Sequence, residues 1–440
     1  MIAEHQYLVE QGADLVELRL DYIGRAVSLS RLLTQRPGPV VVTARRRGDG
    51  GRWLKGEEER VMLLRSAIAA GVEYVDIEAD IAAQIPRYGT TKRIISYHDM
   101  DETPDNLEDL HAAMSEEDAD IVKIATMGNS FSDNLRMINL VKNAKIPTIG
   151  ICMGESGILT RILANRLGSP FTYATFSNGR QMAPGQLDWK EMKKLYRYDT
   201  INPDTTFFGV IADPVAHSFS PLIHNTAFKS QKINARYFPL RVSKSDLPNL
   251  MQQTQELGIS GLSVTIPHKE DALGHCTQAE SSANGIGAIN TLIFSGEDRV
   301  GYNTDYRAAM DCIDELFSID KDSGRSMRGM SALVLGAGGV SRAIAWGLKQ
   351  RNAEVIISSR TLERSQILAA EIGCKAIEWE FRHDHRVNLL VNGTPVGMHP
   401  DVDSSPYNAS AMNQYLAVFD TVYNPESTLL VKEARRAQCR

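Results

Sequence analysis

VVVTARRRGDGGRWLKGEEERVMLLRSAIAAGVEYVDIEA, residues 40–79, reads as one complete strand–helix–strand unit. VVVTAR (40–45) is short and rich in β-branched residues, and EEERVMLLRSAIAAG (57–71) spaces its apolar residues as an amphipathic helix does. EYVDIEA (73–79) then returns to strand composition. The pattern continues in both directions through VELRLD (16–21), RIISYHD (93–99), IVKIATM (121–127), TIGICMG (148–154) and FTYATF (171–176). Repeated strand-then-helix units imply a parallel sheet, and this density of them predicts an α/β fold opening with a (β/α)8 barrel. Seven strand segments are visible rather than eight, because the chain starts directly on a helical pattern. The barrel is therefore expected to lack its first strand and to have unpaired edges.

Polar YRYDTINPDTT (196–206) carries Pro203 and reads as a connection. It divides a barrel at 1–196, with a linker at 197–206, from a second α/β region at 207–310. That region contains FFGVIAD (207–213), ARYFPLRV (235–242), GLSVTIP (261–267) and INTLIFS (289–295). A third region, 311–440, holds SALVLGAGGVSRAIAWGLKQRNAEVIISSRT (331–361), a strand, glycine turn, helix and strand of Rossmann type.

Composition excludes several classes. The 440 residues are 43% hydrophobic and 23% charged with a net charge of −6, so neither nucleic acid nor an acidic membrane is an expected partner. Five cysteines without CxxC spacing suit a reducing compartment and argue against a zinc site, and no metal is expected. No apolar run approaches membrane-spanning length, and the N-terminus has no signal-peptide pattern. The expected compartment is the cytoplasm, or a plastid after removal of a transit peptide.

Strand alternation identifies candidate site residues. Lys123 shares a face with Ile121 and Ala125, while Val122 and Ile124 face the outer helices. Alone, Lys123 reads equally well as an edge-strand lysine reaching water or as an amine kept in a dry pocket. Its neighbours favour the pocket: Glu17, Arg19 and Asp21 share a face, as do Thr43 and Arg45, Asp76 and Glu78, and Ser96 and His98. Barrel interiors are normally filled by Val, Ile and Leu, so converging ionisable groups mark the C-terminal mouth as an active site. A lysine desolvated beside other cations becomes a nucleophilic amine that forms an imine with a ketone. His98, with a reference pKa near operating pH, is suited to removing the adjacent proton and protonating a leaving hydroxyl.

ELRLD, TARRRGDGG, SYHD, DIVKIATMG, GESGILTR and APGQ, in this order over residues 1–195, resemble type I 3-dehydroquinate dehydratase. The resemblance implies Lys123 as the Schiff-base lysine and His98 as its proton donor and acceptor. It implies Glu17, Arg19 and Arg45 at substrate hydroxyls, Arg161 at the substrate carboxylate and Gln186 on the closing loop. Asp49 stands where the family has Glu, and Met182 where it has Ser before APGQ, at the expected cost of one substrate hydrogen bond.

In the second half, AHSFSP (216–221) spaces Ser218 and Ser220 two apart, either as a carboxylate-binding pair or as an ordinary polar loop. SVTIPHK ends at Lys269, and GAINT and GYNTD offer Asn290 and Asp305. A lysine and an aspartate meeting at one alcohol would serve proton transfer during hydride exchange. GAGGVSRA puts backbone amides and a helix N-terminus where a pyrophosphate can bind, with Ser341 replacing the usual third glycine. The next strand ends Ser358-Ser359-Arg360-Thr361, without the acid of an NAD site. Arg360, with Arg364, can pair with a 2′-phosphate and so favours NADP; the bland reading is two exposed arginines.

AHSFSP, VTIPHK, GAINT, NTD, GAGGVSRA, SRT and NGTPVGM, in order over about 207–425, resemble shikimate dehydrogenase. That implies Ser218, Ser220, Thr265, Asn290 and Asp305 around shikimate, with Lys269 transferring the proton. Gly336, Ala337, Gly338, Gly339 and Val340 would hold the pyrophosphate, and Ser359, Arg360, Thr361 and Arg364 the adenosine phosphate of NADP. Ser359 stands where Asn is usual. KEARRAQCR ends the chain where the family continues into a helix, so the C-terminus is expected to be incomplete. Together the two resemblances imply successive steps on small molecules, from 3-dehydroquinate to 3-dehydroshikimate and then to shikimate. The rivals are a quinate dehydrogenase in the second half and an inactive metabolite-binding fragment.

Overall fold

Six of the seven expected N-terminal strand segments form a parallel sheet. They are β1 (Val16–Arg19), β2 (Val40–Thr43), β3 (Tyr74–Glu78), β4 (Lys92–Asp99), β5 (Ile121–Met127) and β6 (Thr148–Met153), in that spatial order. This computed structural model describes residues 1–24, 27–215, 218–319 and 326–440, and Ala216 and His217 of AHSFSP lie outside the described residues. The chain divides into two compact units, Met1–Gln253 and Thr254–Arg440.

Two apolar layers fix the sheet in the first unit. Val40, Val42, Val75, Ile77, Ile95, Val122 and Ile124 are buried with Leu64, Ala67 and Ile68 of the Glu57–Ala69 helix. On the opposite face Val41, Ile94, Ile121, Ala125, Ile149 and Ile151 form a smaller cluster. The strand alternation therefore divides as expected, with Val122 and Ile124 in one layer and Ile121 and Ala125 in the other. Parallel register sets Glu78 beside Ser96, and Ser96 beside Lys123.

FTYATF (171–176) departs from expectation. Among the described residues it joins no ladder, and Thr175 forms only an isolated bridge to Asp188. The Thr175 amide donates to the Leu187 carbonyl (2.9 Å), and the Trp189 amide donates to the Thr175 carbonyl (2.9 Å). These bonds hold the segment beside 187–189, and β6 pairs on its other side with β5. Residues 196–206 are packed rather than loose: Ile201 is buried, and the buried Arg236 donates to the carbonyls of Tyr196 and Arg197. The first unit continues with the parallel pair β7 (Thr206–Ala212) and β8 (Ala235–Arg241) and with the Ser220–Ser230 helix.

In the second unit β9 (Ile259–Val264), β10 (Gln278–Ala279), β11 (Thr291–Ser295) and β12 (Asp298–Tyr302) form one group. There β12 pairs parallel with β10 and antiparallel with β11, and β11 pairs antiparallel with β9. The remaining strands are β13 (Ser331–Leu335), β14 (Glu354–Ser358), β15 (Lys375–Ile377), β16 (Leu389–Asn392) and β17 (Ala417–Asp420). They form a parallel sheet in the order β15-β14-β13-β16-β17, the doubly wound arrangement that brings the glycine turn after β13 to the sheet's switch point.

Candidate active sites

Residues on or just after β1, β2, β4, β5 and β6 line a cavity of about 70 Å³, among them Glu17, Arg19, Arg45, His98 and Lys123, joined by Arg161 and Gln186. All seven candidate residues of the first half thus meet in one place. Tyr173, Met182 and Asp49 complete much of the wall.

Lys123 is 5% exposed, and its Nζ lies 2.8 Å from Asp76 Oδ2 and 4.3 Å from the centre of the Tyr173 ring. The sequence suggested a lysine among cations, but its direct partner is a buried anion. Asp76 also meets Arg45 Nη2 at 2.8 Å and accepts from Ser96 Oγ at 2.6 Å. Burial alone would raise the Asp76 pKa, but Arg45 and Lys123 overcome it and hold the carboxylate far below its usual range. The cations instead act on His98. Burial, then Arg45 and Lys123, push its pKa well below the ordinary value, and its Nδ1 has no hydrogen-bond partner among the described residues. A neutral imidazole beside an amine is equipped to take a proton.

Arg161 has no ion-pair partner among the described residues. It is 2% exposed on the Ile158–Leu163 helix, its Nε is unpartnered, and burial pulls its pKa down to about 10. A buried, unpaired guanidinium on a cavity wall suits a ligand carboxylate. Arg19, by contrast, is clamped by Asp21 through bonds of 2.9 and 2.7 Å. Its Nη1 lies 3.5 Å from Met182 Sδ, so the methionine that replaces the expected serine packs against this arginine. Glu17 accepts from Thr43 Oγ1 at 2.8 Å, and Gln186 Oε1 accepts from the Met182 amide at 3.0 Å, which closes the APGQ turn. Asp49 pairs with Arg46 at 2.7 Å.

The other candidates divide between the two units. Ser218 and Ser220 lie at the start of the Ser220–Ser230 helix in the first, where Ser218 Oγ accepts from the Ser220 amide at 3.3 Å. In the second, Lys269 Nζ pairs with Asp305 Oδ2. Asn290 Nδ2 donates to Asp305 Oδ1 and to Thr304 Oγ1, both at 2.8 Å. Asn303 caps the Thr304–Leu316 helix that carries the aspartate. Thr265 lies four residues before Lys269, in the turn closed by the His268 amide on its carbonyl.

The nucleotide turn fits a dinucleotide. Gly336 has φ +105°, a conformation that side chains resist, and a Cβ there would also press on Ser341 Oγ and the Gly393 carbonyl. Gly338 then opens the Gly339–Gln350 helix with open space around it, leaving the helix N-terminus accessible to phosphate. Ser341 is fully buried and donates to the Gly393 carbonyl at 3.2 Å, so its side chain ties the helix to NGTPVGM. A Cβ on Gly339 would meet Lys269 Cδ at 2.9 Å, so this glycine lets the lysine pass close to the turn. At the end of β14, Ser359 bonds Ser365 and the Thr361 carbonyl. Arg360 and Arg364 are exposed and have no ion-pair partner among the described residues.

The profile of the type I 3-dehydroquinase family matches residues 1–203, and that of the shikimate dehydrogenase substrate binding domain matches 210–292. The bifunctional 3-dehydroquinate dehydratase/shikimate dehydrogenase, chloroplastic, of Arabidopsis thaliana is 36% identical over 459 residues, 99% of this chain and 76% of that protein. The chain belongs to this bifunctional family. The shikimate dehydrogenase (NADP(+)) of Caldanaerobacter subterraneus subsp. tengcongensis is 36% identical over 247 residues, 54% of this chain and 85% of that protein. A crystal structure of shikimate 5-dehydrogenase from Thermus thermophilus in complex with NADP(H) and shikimate shares 33% identity, covers 54% of this chain and 86% of that one, and gives a TM-score of 0.47. Among the described residues no helix is long and apolar enough to cross a membrane.

Asp76, Glu78 and Ser96, which alternation places on the inward face, support the first site through contacts with Lys123 and Arg45 to which the sequence assigned no role. Their strand positions gave the signal, since all three face inward from β3 and β4. Tyr173 was missed because it lies on the segment that does not pair.

Proposed function

We propose that the chain carries out two successive steps, dehydrating 3-dehydroquinate to 3-dehydroshikimate and reducing that to shikimate with NADPH. One observation carries the first step: a buried lysine, a neutral histidine and an unpaired buried arginine share one cavity. Arg161 receives the substrate carboxylate. Lys123 attacks the ketone and water leaves, forming an imine. His98 removes a proton from the adjacent carbon and returns it to the departing hydroxyl, which leaves as a second water. Hydrolysis then frees Lys123. Glu17, Arg19, Arg45 and Gln186 hold the ring hydroxyls and orient the pair.

For the second step the division is a substrate region at 207–310 and a cofactor region at 311–440. Ser218 and Ser220 bind the carboxylate, and Thr265 and Asn290 position the ring. Lys269 and Asp305 deliver the proton to the new alcohol. Gly336 to Val340 receive the pyrophosphate, and Ser359 to Thr361 with Arg364 receive the adenosine phosphate. NADPH, when bound, supplies the hydride. The proposed location is the cytoplasm, or a plastid as for the chloroplastic Arabidopsis relative.

A coupled assay tests both halves: 3-dehydroquinate plus NADPH should give shikimate and NADP+. Accumulation of 3-dehydroshikimate without NADPH consumption would remove the second activity. NADP-linked oxidation of quinate in preference to shikimate would replace it with quinate dehydrogenase.

The low pKa of His98 has a kinetic consequence. Its basic form persists below the ordinary histidine range, so the acidic limb of kcat/KM for dehydration should lie well below about pH 6.5, the reference value. A limb at or above that value would contradict the neutral-histidine assignment.

Arg360 should contact the 2′-phosphate through a charge-assisted pair worth about 1.5–3 kcal/mol. Arg360→Ala is expected to weaken NADPH binding, read by fluorescence quenching, roughly ten- to a hundredfold while leaving NADH nearly unchanged. Adding Ser359→Asp should tilt preference further toward NADH by repelling the phosphate. Equal loss of both cofactors would make Arg360 a structural residue.

A further inference from the structure

We propose that Arg60, which does not line the cavity, is a positioning residue that holds Lys123 in place through Glu78, Arg45 and Asp76. The inference rests on the dehydration reading above. Arg60 is fully buried on a helix face otherwise made of Val61, Leu64, Ala67 and Ile68. A buried charge on such a face is weak evidence for stability, because an apolar side chain of similar volume usually serves at least as well.

What distinguishes Arg60 is the order of its contacts. Its Nη1 lies 2.5 Å from Glu78 Oε2. Glu78 Oε1 meets Arg45 Nη1 at 2.9 Å, Arg45 Nη2 meets Asp76 Oδ1 at 2.8 Å, and Asp76 Oδ2 meets Lys123 Nζ at 2.8 Å. Ser96 Oγ braces the middle, accepting from Arg45 at 2.9 Å and donating to Asp76 at 2.6 Å. Cation and anion alternate through five buried side chains, and each carboxylate oxygen has its own cationic partner. Without Arg60, Glu78 Oε2 would lose its partner in a dry interior. Arg45 would then be drawn from Asp76 towards Glu78, and Asp76 would take Lys123 away from the cavity mouth. Imine formation depends on the amine's aim, so the loss should fall on kcat rather than on substrate binding.

The test is a double-mutant cycle with Arg60→Met and Glu78→Gln in the full chain, run after the coupled assay has established wild-type dehydration. Reduction of 3-dehydroshikimate by the other half serves as the folding control. Arg60→Met should lower the dehydration kcat about ten- to a hundredfold with KM within about twofold and reduction unchanged. In the Glu78→Gln background the same change should cost less than about twofold, because the path it acts through is already cut. Arg60→Lys should recover part of kcat, and if Arg60→Met fails to fold, Arg60→Lys carries the cycle, with its smaller loss again suppressed by Glu78→Gln. Multiplying losses, a fall in both activities together, or a wild-type-like Arg60→Met would overturn the inference. The last result would leave the dehydration reading standing, since the wild type is active in the same assay.

Discussion

Lys123→Met should abolish dehydration of 3-dehydroquinate, lowering kcat roughly 10⁴- to 10⁶-fold, the scale on which deletion of a covalent nucleophile acts. Reduction of 3-dehydroshikimate should stay within about twofold of wild type, since the proposed reduction rests on Lys269 and Asp305 and not on Lys123. Methionine keeps the length of the lysine stem and removes only the amine. Asp76 loses one partner but keeps Arg45 and Ser96, so the unit should fold with a lowered Tm. Borohydride added with the dehydration product converts the imine to a stable amine, and peptide mass spectrometry places it. The wild type should carry the adduct on Lys123 and Lys123→Met should carry none. His98→Ala should keep much of the trapping while losing about 10²- to 10⁴-fold in turnover, because imine formation precedes proton abstraction. An adduct on another lysine, or normal turnover without one, would end the Schiff-base assignment.

The first site could be read from sequence because period-two alternation is strict in a strand. With Val122 and Ile124 committed to the helix side, Lys123 had to face inward, and the same rule placed His98, Arg45, Asp76 and Glu78 around it. What alternation cannot give is the pairing of charges. Asp76 rather than a second cation is the direct partner of Lys123, and that follows from diagonal reach between strands. Arg60 was invisible for a different reason. In EEERVMLLRSAIAAG a charged residue next to three glutamates reads as part of a solvated face, yet it falls on the buried stripe with Val61, Leu64 and Ile68. FTYATF was misread because its composition is that of a strand, whereas a strand also needs a neighbour's backbone, and its bonds go to 187 and 189. In the second half the absence of an acid after β14 was informative because a phosphate excludes an acid. The role of Ser341 was not legible, since its partner, the Gly393 carbonyl, lies far along the chain.

Lys269→Met should lower kcat for reduction of 3-dehydroshikimate about 10²- to 10⁴-fold, the range for removing a positioned proton donor. NADPH affinity should change little, because Gly336 to Val340, Arg360 and Arg364, which are proposed to hold the cofactor, are untouched. The ion pair with Asp305 specifies the role more closely. Asn290 holds the other aspartate oxygen at 2.8 Å, and Asn303 caps the helix that carries it, so the carboxylate is fixed before substrate arrives. The lysine stem passes close to Gly339, where any Cβ would press on it at 2.9 Å, so the glycine leaves room for the lysine. Asp305→Asn should then reproduce most of the kcat loss, since the amine would lose the partner that aims it. The double mutant should be little worse than Lys269→Met alone, the behaviour of two groups acting as one unit. Pre-steady-state mixing separates binding from chemistry: quenching on NADPH addition should keep its wild-type amplitude, while the decay of NADPH absorbance slows. If Lys269→Met instead abolished the quenching and left the decay rate of bound NADPH unchanged, the lysine would belong to cofactor binding, and the proton would have to come from another group.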